Sequence, residues 1–290
     1  MDDFDTFIDS AWATHAEQPQ ATAERLATSL QRVGTADQVP RYASLVTHVY
    51  GEHLGDIEGG IALLQRLGAQ HAGAANGAAQ RALARHVATL RQVAGDPTPL
   101  AALDPEDRVA ALAAAAAIHA GRSAFDAALD TFEQALQAAE AGLPDTSPAT
   151  RALAIGANNL AAALEEKSDR DARQTAGMVD AARAALAFWK RAGTWLEEER
   201  AEYRFARSLL QAGRAAEAVE RARRCVEICE RHQAPPFERF FAHVVLALAQ
   251  RSAGDGAAFD AARAQARLWH AQVPADEQTW CASDLQELAD

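Results

Sequence analysis

Apolar residues and alanines recur three and four positions apart along nearly the whole chain, in segments of one to two dozen residues. This spacing puts them on one face of an α-helix, whereas strands would show an alternation of period two in runs of Val, Ile, Thr and Tyr. Such runs are nearly absent, and glycines or prolines such as Gly34, Gly121 and Pro274 separate the segments. The pattern predicts an all-α chain of antiparallel helices joined by short connections.

Several of the breaks carry the chemistry of helix ends. Asp104-Pro105 places a capping residue before a proline at the first helical position, where the missing N–H costs nothing. Glycines that close a segment, such as Gly213 and Gly254, are suited to the left-handed conformation that follows many helices. A further break is expected at Gly73–Gly77.

Pairs of segments repeat along the chain with small residues at one set of positions and large residues at another. In Ala110–Glu140 an alanine-rich helix leads through a turn into a second amphipathic helix. Similar pairs occupy Tyr42–Leu67, Glu202–Glu230 and Leu246–Trp269. We expect each pair to be a helical hairpin, with small residues where its helices cross and large ones against the next hairpin.

This spacing resembles the tetratricopeptide repeat (TPR), a helix–turn–helix unit of about 34 residues that stacks into a superhelix. The Trp of that family's first helix is missing, Ala141–Ser147 lengthens one connection, and Gln70–Asp104 fits only as a degenerate copy. The residues that carry the resemblance are the small pairs Ala116/Ala128, Ala206/Ala218 and Ala247/Ala262 and the large Phe125, Phe132 and Phe259.

One segment resembles the Asn-Asn-Leu-Ala sequence of kinesin-light-chain-type repeats. It contains Asn158 and Asn159, followed by Leu160 and Ala161. The resemblance implies that both asparagines face a concave groove and hold the backbone of a bound peptide.

The repeat pattern predicts a single TPR-like α-solenoid over residues 1–290, a right-handed superhelical stack of antiparallel helical hairpins. Within it we expect N-terminal capping helices at 1–34, irregular repeats at 35–104, better-defined repeats at 105–272 and a C-terminal capping helix at 273–290. Caps are needed because each hairpin of a solenoid buries its apolar face only against its neighbours.

Charge and composition limit the classes of partner that the chain is expected to bind. Lys and Arg number 28 against 40 Asp and Glu, which gives a formal charge of −12. An acidic chain without a basic cluster argues against nucleic acid and anionic membranes as partners. No apolar run approaches the ~20 residues of a membrane span, and the N-terminal MDDFDTFIDS lacks the layout of a signal peptide. With three cysteines in no disulfide framework, we expect a cytoplasmic protein.

Arg200, Arg204 and Arg207 share one face of a predicted helix with Tyr203, at groove register in the solenoid. In one interpretation they form a solvated face, paired locally with Glu197, Glu198, Glu199 and Glu202 at i,i+3 and i,i+4. In the other they offer bidentate donors to a carboxylate or phosphate of a peptide. The candidate peptide-binding groove is therefore Asn158, Asn159, Arg200, Tyr203, Arg204 and Arg207.

The segment 48–53 is the densest collection of potential metal ligands. His48 and Glu52 are four residues apart on a helix face, but His53 should project elsewhere, and no third ligand has helical spacing. Register places His48 opposite Gly60, which favours simple packing. A polar groove contact and a metal-binding role for His48, Glu52 and His53 remain alternatives.

Cys225, Cys229 and His232 lie at i, i+4 and i+7, and Cys225 matches a small buried position of the repeat. Burial of the cysteines is the favoured interpretation, with a metal or redox role as the alternative. The five tryptophans are expected to pack between hairpins.

No enzyme signature is present: the chain has no Gly-rich phosphate loop and no G-x-S-x-G segment. We therefore expect a non-enzymatic scaffold or adaptor that needs no cofactor and binds a protein or peptide, with an acidic group or C-terminal carboxylate as its anchor. The alternatives are a peptide-sensing regulatory protein, or a metal-binding or enzymatic protein that uses the segment 48–53.

Overall fold

The computed structural model describes residues 3–72 and 77–289, and every regular element in these ranges is helical. The prediction of an all-α chain is confirmed. The α-helices are α1 (Asp3–Thr14), α2 (Pro19–Thr28), α3 (Val39–His48), α4 (Ile57–Gln70), α5 (Gly77–Val93), α6 (Pro105–Gly121), α7 (Phe125–Ala139), α8 (Pro148–Glu166), α9 (Ala172–Ala192), α10 (Trp195–Gln211), α11 (Ala215–Arg231), α12 (Pro236–Ser252), α13 (Gly256–His270) and α14 (Ala282–Glu287).

Shorter helices of other types join these elements. A π-helix, Val49–Leu54, continues directly from α3, and 3₁₀ turns cover Leu30–Arg32, Ala36–Gln38, Thr98–Ala102 and Gln278–Cys281. Most of them lie in the first hundred residues, which is where the repeat pattern is irregular.

Antiparallel pairs of neighbouring helices form the hairpins that the sequence predicts. Helix α6 packs on α7, α10 on α11 and α12 on α13. The six alanines of the predicted crossing pairs are all buried. A methyl side chain at these points lets two helices approach closely, and a larger residue there would cost about 1–3 kcal/mol of stability.

Helix ends follow the capping chemistry expected from the sequence. The Asp104 side chain accepts a hydrogen bond from the Asp107 backbone N–H at 2.9 Å, with Pro105 as the first helical residue. Gly213 and Gly254 have φ of 72° and 78°, a conformation that costs glycine little and side-chain-bearing residues more. The break expected at Gly73–Gly77 lies outside the described residues except for Gly77 itself.

The chain divides into two compact units, Met1–Gly156 and Ala157–Asp290, with the boundary inside α8. The core of the first unit is built around Phe4, Ile8 and Tyr42. The core of the second includes Phe240 and Val244 of α12. The single solenoid over 1–290 and its capping segments stay predictions.

The π-helix corrects two expectations about the segment 48–53. In an α-helix, His53 would lie about 140° around the axis from His48, since each residue turns the helix by about 100°. The i→i+5 hydrogen bonding of a π-helix brings residues five apart onto the same side, and the two rings are in contact, with centroids 4.7 Å apart. The residue opposite Gly60 is Tyr50, not His48: a Cβ on Gly60 would lie 2.9 Å from the Tyr50 Cβ.

None of the helices in the described ranges combines the length and the apolar character needed to cross a membrane.

Candidate functional site

A pocket of about 250 Å³ lies in the second unit, where α8, α10 and α12 contribute side chains. Helix α10 supplies four residues because every third or fourth position shares a face. Aromatic rings form part of the wall: Phe237 and Phe241 have centroids 4.9 Å apart, and Tyr203 meets Phe241 edge to face at 6.0 Å. The pocket is lined by Asn158, Glu199, Arg200, Tyr203, Arg204, Phe237, Glu238 and Phe241.

Each of the three arginines on α10 has a carboxylate partner from a distant helix. Arg200 lies 2.6 Å from Glu238 of α12. Arg207 lies 2.8 Å from Glu287 of α14. The third pair joins Arg204 to Glu165 of α8, whose side chain is only 9% exposed and also accepts a hydrogen bond from Ser208. The guanidinium groups are therefore charge-matched within this unit.

The local pairing that one of the two interpretations gave these arginines differs from the pairs in the structure, which reach other helices. Glu197, the glutamate at i,i+3 spacing to Arg200, accepts a hydrogen bond from the Thr194 backbone N–H at 2.8 Å and closes a capping box. Glu198 and Glu202 lie two residues from Arg200, on the opposite side of the helix, because two residues turn it by about 200°. Both contact Lys190 of α9, and Glu202 also contacts Arg221 of α11 at 3.3 Å.

Two buried polar atoms of pocket-lining residues have no hydrogen-bond partner among the described residues. They are Oε1 of Glu199 and Nε of Arg204. Burial, reinforced by the nearby charge of Glu238, raises the pKa of Glu199 to about 8, so at neutral pH its carboxyl group is largely protonated. Unpaired buried polar groups are costly and call for a partner. Both atoms belong to residues that line the pocket, one as an N–H donor and one in a carboxyl group.

Of the six residues predicted from the sequence, four come together: Asn158, Arg200, Tyr203 and Arg204 line the pocket. The Tyr203 hydroxyl donates to Asp284 of α14 at 3.3 Å, and burial raises the pKa of this tyrosine. Asn159 is exposed and, like Arg207, lies outside the pocket lining.

Sequence reasoning missed the contribution of α12 to this pocket. Phe237 and Phe241 are four residues apart just after Pro235-Pro236, which marks a helix start, so both rings were predictable as one helix face. Glu238, beside them, was missed as the partner of Arg200 because nothing in one sequence links residues 38 positions apart.

The segment 48–53 forms a second polar cluster, in the first unit. Nδ1 of His48 lies 3.0 Å from Oε2 of Glu52, and Nε2 of His48 lies 3.1 Å from Nε2 of His53. Burial and the neighbouring His48 lower the pKa of His53. His48 therefore contacts both Glu52 and His53 through polar atoms. A polar or metal-binding role requires such contacts, whereas simple packing does not.

The predicted stripe of Cys225, Cys229 and His232 does not form one site. Both cysteines are buried thiols, and burial raises the pKa of each, which makes them poor nucleophiles and poor ligands. His232 is exposed and stacks on Trp195, with ring centroids 5.1 Å apart. The tryptophans do not all pack between hairpins, since Trp280 is 72% exposed.

Comparison with known proteins gives a structural likeness only. No protein-family model matches the chain, and no curated protein matches it. Among solved structures, BtubC (BKLC) from P. vanneervenii superposes with a TM-score of 0.51 at 18% identity, covering 93% of this chain and 92% of that one. Nearly identical TPR-like repeats of a Podosopora anserina putative kinesin light chain give a TM-score of 0.50 at 16% identity, covering 82% and 97%. A single-substitution variant of those repeats matches at 17% identity and TM-score 0.50, covering 80% of this chain and 94% of that one. The chain therefore has a TPR-like α-solenoid fold.

Proposed function

We propose that this protein is a non-enzymatic scaffold or adaptor that binds a peptide segment of a partner protein in the pocket between α8, α10 and α12. The observation that carries the proposal is the pair of unpartnered buried atoms, Glu199 Oε1 and Arg204 Nε, beside an aromatic wall. Such an arrangement combines apolar contact with a small number of placed polar groups, which is how binding pockets obtain affinity and orientation.

The pocket's size favours a peptide side chain over a cofactor. Its volume of about 250 Å³ is below the range of about 300–1,000 Å³ that holds drug-sized ligands. One apolar residue of a peptide would contact Phe237 and Phe241. The peptide backbone would meet the Asn158 side chain at the edge of the pocket, consistent with the role that the Asn-Asn-Leu-Ala resemblance implies for that asparagine.

The ion pairs limit how acidic the partner is. Arg200 and Arg204 are already matched by Glu238 and Glu165, so a peptide carrying many carboxylates would have to displace these partners. A single carboxylate, at the C-terminus of the peptide, would accept a hydrogen bond from the N–H of Arg204 Nε and from the protonated Glu199. The proposal therefore specifies an apolar residue next to a free C-terminus, in a cytoplasmic setting that suits three unpaired thiols.

The test uses a display library of random heptapeptides with free C-terminal carboxylates, selected on the wild-type protein. The peptides recovered are resynthesised with free and with amidated C-termini, and their affinities are measured by fluorescence anisotropy. We expect selected peptides to share an apolar residue near the C-terminus and to lose about tenfold in affinity on amidation, equivalent to about 1.4 kcal/mol for one charged hydrogen bond.

A pocket variant and a matched control complete the experiment. Phe241→Ala removes part of the aromatic wall and should reduce affinity for the selected peptides by about tenfold or more. Arg224→Ala changes an exposed residue that pairs locally with Glu227 and should leave affinity unchanged. If selected peptides bind both variants as they bind the wild type, the peptide site is not this pocket.

A further inference from the structure

Three imidazole rings converge in the first unit, two from one short segment and the third from a distant part of the chain. His15 follows α1, His48 ends α3, and His53 belongs to the π-helix. One nitrogen from each ring lies within 4.8 Å of the others. The ring centroids of His15 are 4.8 Å from His48 and 5.0 Å from His53. Sequence analysis missed His15 because it lies more than thirty residues from the others.

The hydrogen bonds around the rings decide which nitrogens are available. Nδ1 of His15 lies 2.6 Å from the backbone carbonyl of Trp12, an acceptor only, so this nitrogen carries the proton. Nδ1 of His48 lies 3.0 Å from the Glu52 carboxylate, which in the same way favours a proton on that nitrogen. In the neutral form of each ring the other nitrogen, Nε2, is then unprotonated, which is the ligand form of imidazole.

The distance between the Nε2 atoms of the two neighbouring histidines matches a shared metal ion. Nε2 of His48 lies 3.1 Å from Nε2 of His53. Two nitrogens bound tetrahedrally at about 2.0–2.1 Å from zinc are about 3.3 Å apart. A hydrogen bond between these two rings would explain their contact, but it does not involve His15, whose ring centroid lies 4.8 Å from that of His48 and 5.0 Å from that of His53.

We propose that His15, His48 and His53 together bind one divalent transition-metal ion of the kind that prefers imidazole, Zn²⁺ being the representative case. Glu52 orients His48 from behind, as carboxylates do for many zinc-bound histidines. Three protein ligands leave the fourth position for water. The side chains of His48 and Glu52 are 27% and 25% exposed, which leaves the ion a path from solvent.

The packing around Glu52 supports this orienting role. A Cβ on Gly121, at the end of α6, would lie 2.4 Å from Oε1 of Glu52. The carboxyl group therefore occupies the space left by the absent side chain at position 121. A methyl group there would force the carboxyl group to move. Gly121→Ala therefore disturbs Glu52, which orients His48, and leaves the three proposed ligands unchanged.

The experiment is equilibrium dialysis of the full, tag-free chain against ZnCl₂ after treatment with a chelator, with zinc measured by mass spectrometry. We expect one Zn²⁺ per wild-type chain. His15→Gln and His53→Asn should each abolish stoichiometric binding, and Glu52→Gln and Gly121→Ala should each lower affinity by about 10- to 100-fold. His232→Gln, which removes an exposed imidazole of the other unit, should bind as the wild type does.

Two outcomes would overturn the site: a wild-type chain that retains no zinc, or zinc binding that survives both His15→Gln and His53→Asn. Far-UV circular dichroism of the zinc-free variants checks that each one is folded. If a ligand variant fails that check, Glu52→Gln and Gly121→Ala decide, because unchanged affinity in both contradicts the proposed geometry. Peptide affinity plays no part in this test, so it stands or falls separately from the proposed function.

Discussion

Helix α10 carries three arginines on one face, and the first unit holds a histidine cluster of His15, His48 and His53, but the charged and polar groups around the two sets differ. On α10 each guanidinium meets a carboxylate from another helix. In the histidine cluster three imidazoles face one another, and a single carboxylate lies behind one of them. The first is a charge-matched network that contains two buried atoms without a hydrogen-bond partner, and the second is a group of imidazoles with one carboxylate.

This difference indicates what each region is suited to bind. A matched network tolerates a neutral or singly charged ligand that fits its open positions, because a strongly charged ligand would break existing pairs. Converging unprotonated imidazole nitrogens repel one another unless a cation or a proton lies between them. For this reason peptide binding is proposed for the α10 pocket and metal binding for the histidine cluster.

The largest expected effect comes from breaking the matched network. Arg204→Ala leaves the Glu165 carboxylate, 9% exposed, without its counter-charge. We expect a loss of about 3 kcal/mol in the free energy of unfolding, at the lower end of the range for broken buried pairs. The measurement is urea denaturation followed by circular dichroism.

Arg224→Ala is the matched control for this prediction. It removes an arginine that is 58% exposed and pairs with Glu227 at i,i+3 on the surface of one helix. Surface pairs contribute less than about 1 kcal/mol. Equal losses of stability in the two variants would show that the buried Glu165 carboxylate does not need the charge of Arg204. The description of α10 as a charge-matched network would then be wrong.

A smaller, pH-dependent effect is expected at Glu199. Its pKa is raised in the folded protein from 4.5 to about 8, chiefly by burial. Between these values the unfolded chain releases the proton while the folded chain keeps it, so stability falls as pH rises. Gln cannot ionise. From about pH 5 to about pH 8, the free energy of unfolding of Glu199→Gln should therefore increase relative to that of the wild type. The increase should exceed about 1.4 kcal/mol, which corresponds to one pKa unit.

Urea midpoints of both proteins at the two pH values measure this difference, and pH effects shared by both chains cancel. If the stability difference between the wild type and Glu199→Gln is the same at both pH values, Glu199 is ionised in the folded state. The donor role given to its carboxyl group would then be wrong.

Local chemistry made much of the fold predictable from the sequence. Asp104-Pro105 begins a helix, Gly213 and Gly254 follow helix ends, and the crossing alanines are buried, because each of these depends on near neighbours or on helical spacing. Four of the six groove residues line one pocket for the same reason: they share faces of α8 and α10.

Ion pairs between distant helices and the π-helix could not be predicted from local sequence. The carboxylates of Glu165, Glu238 and Glu287 reach the α10 arginines from other helices, and nothing in one sequence sets those distances. The contact between His48 and His53 depends on a π-helix, whereas the prediction assumed a regular α-helix.

The most direct test of peptide binding follows the side-chain N–H signals of ¹⁵N-labelled protein by NMR during titration with a selected peptide. We expect saturable shifts of the Arg204 Nε–H and the Asn158 side-chain amide, with the ring nitrogens of His15, His48 and His53 unchanged. Saturable binding that leaves the Arg204 Nε–H and Asn158 signals in place would contradict it.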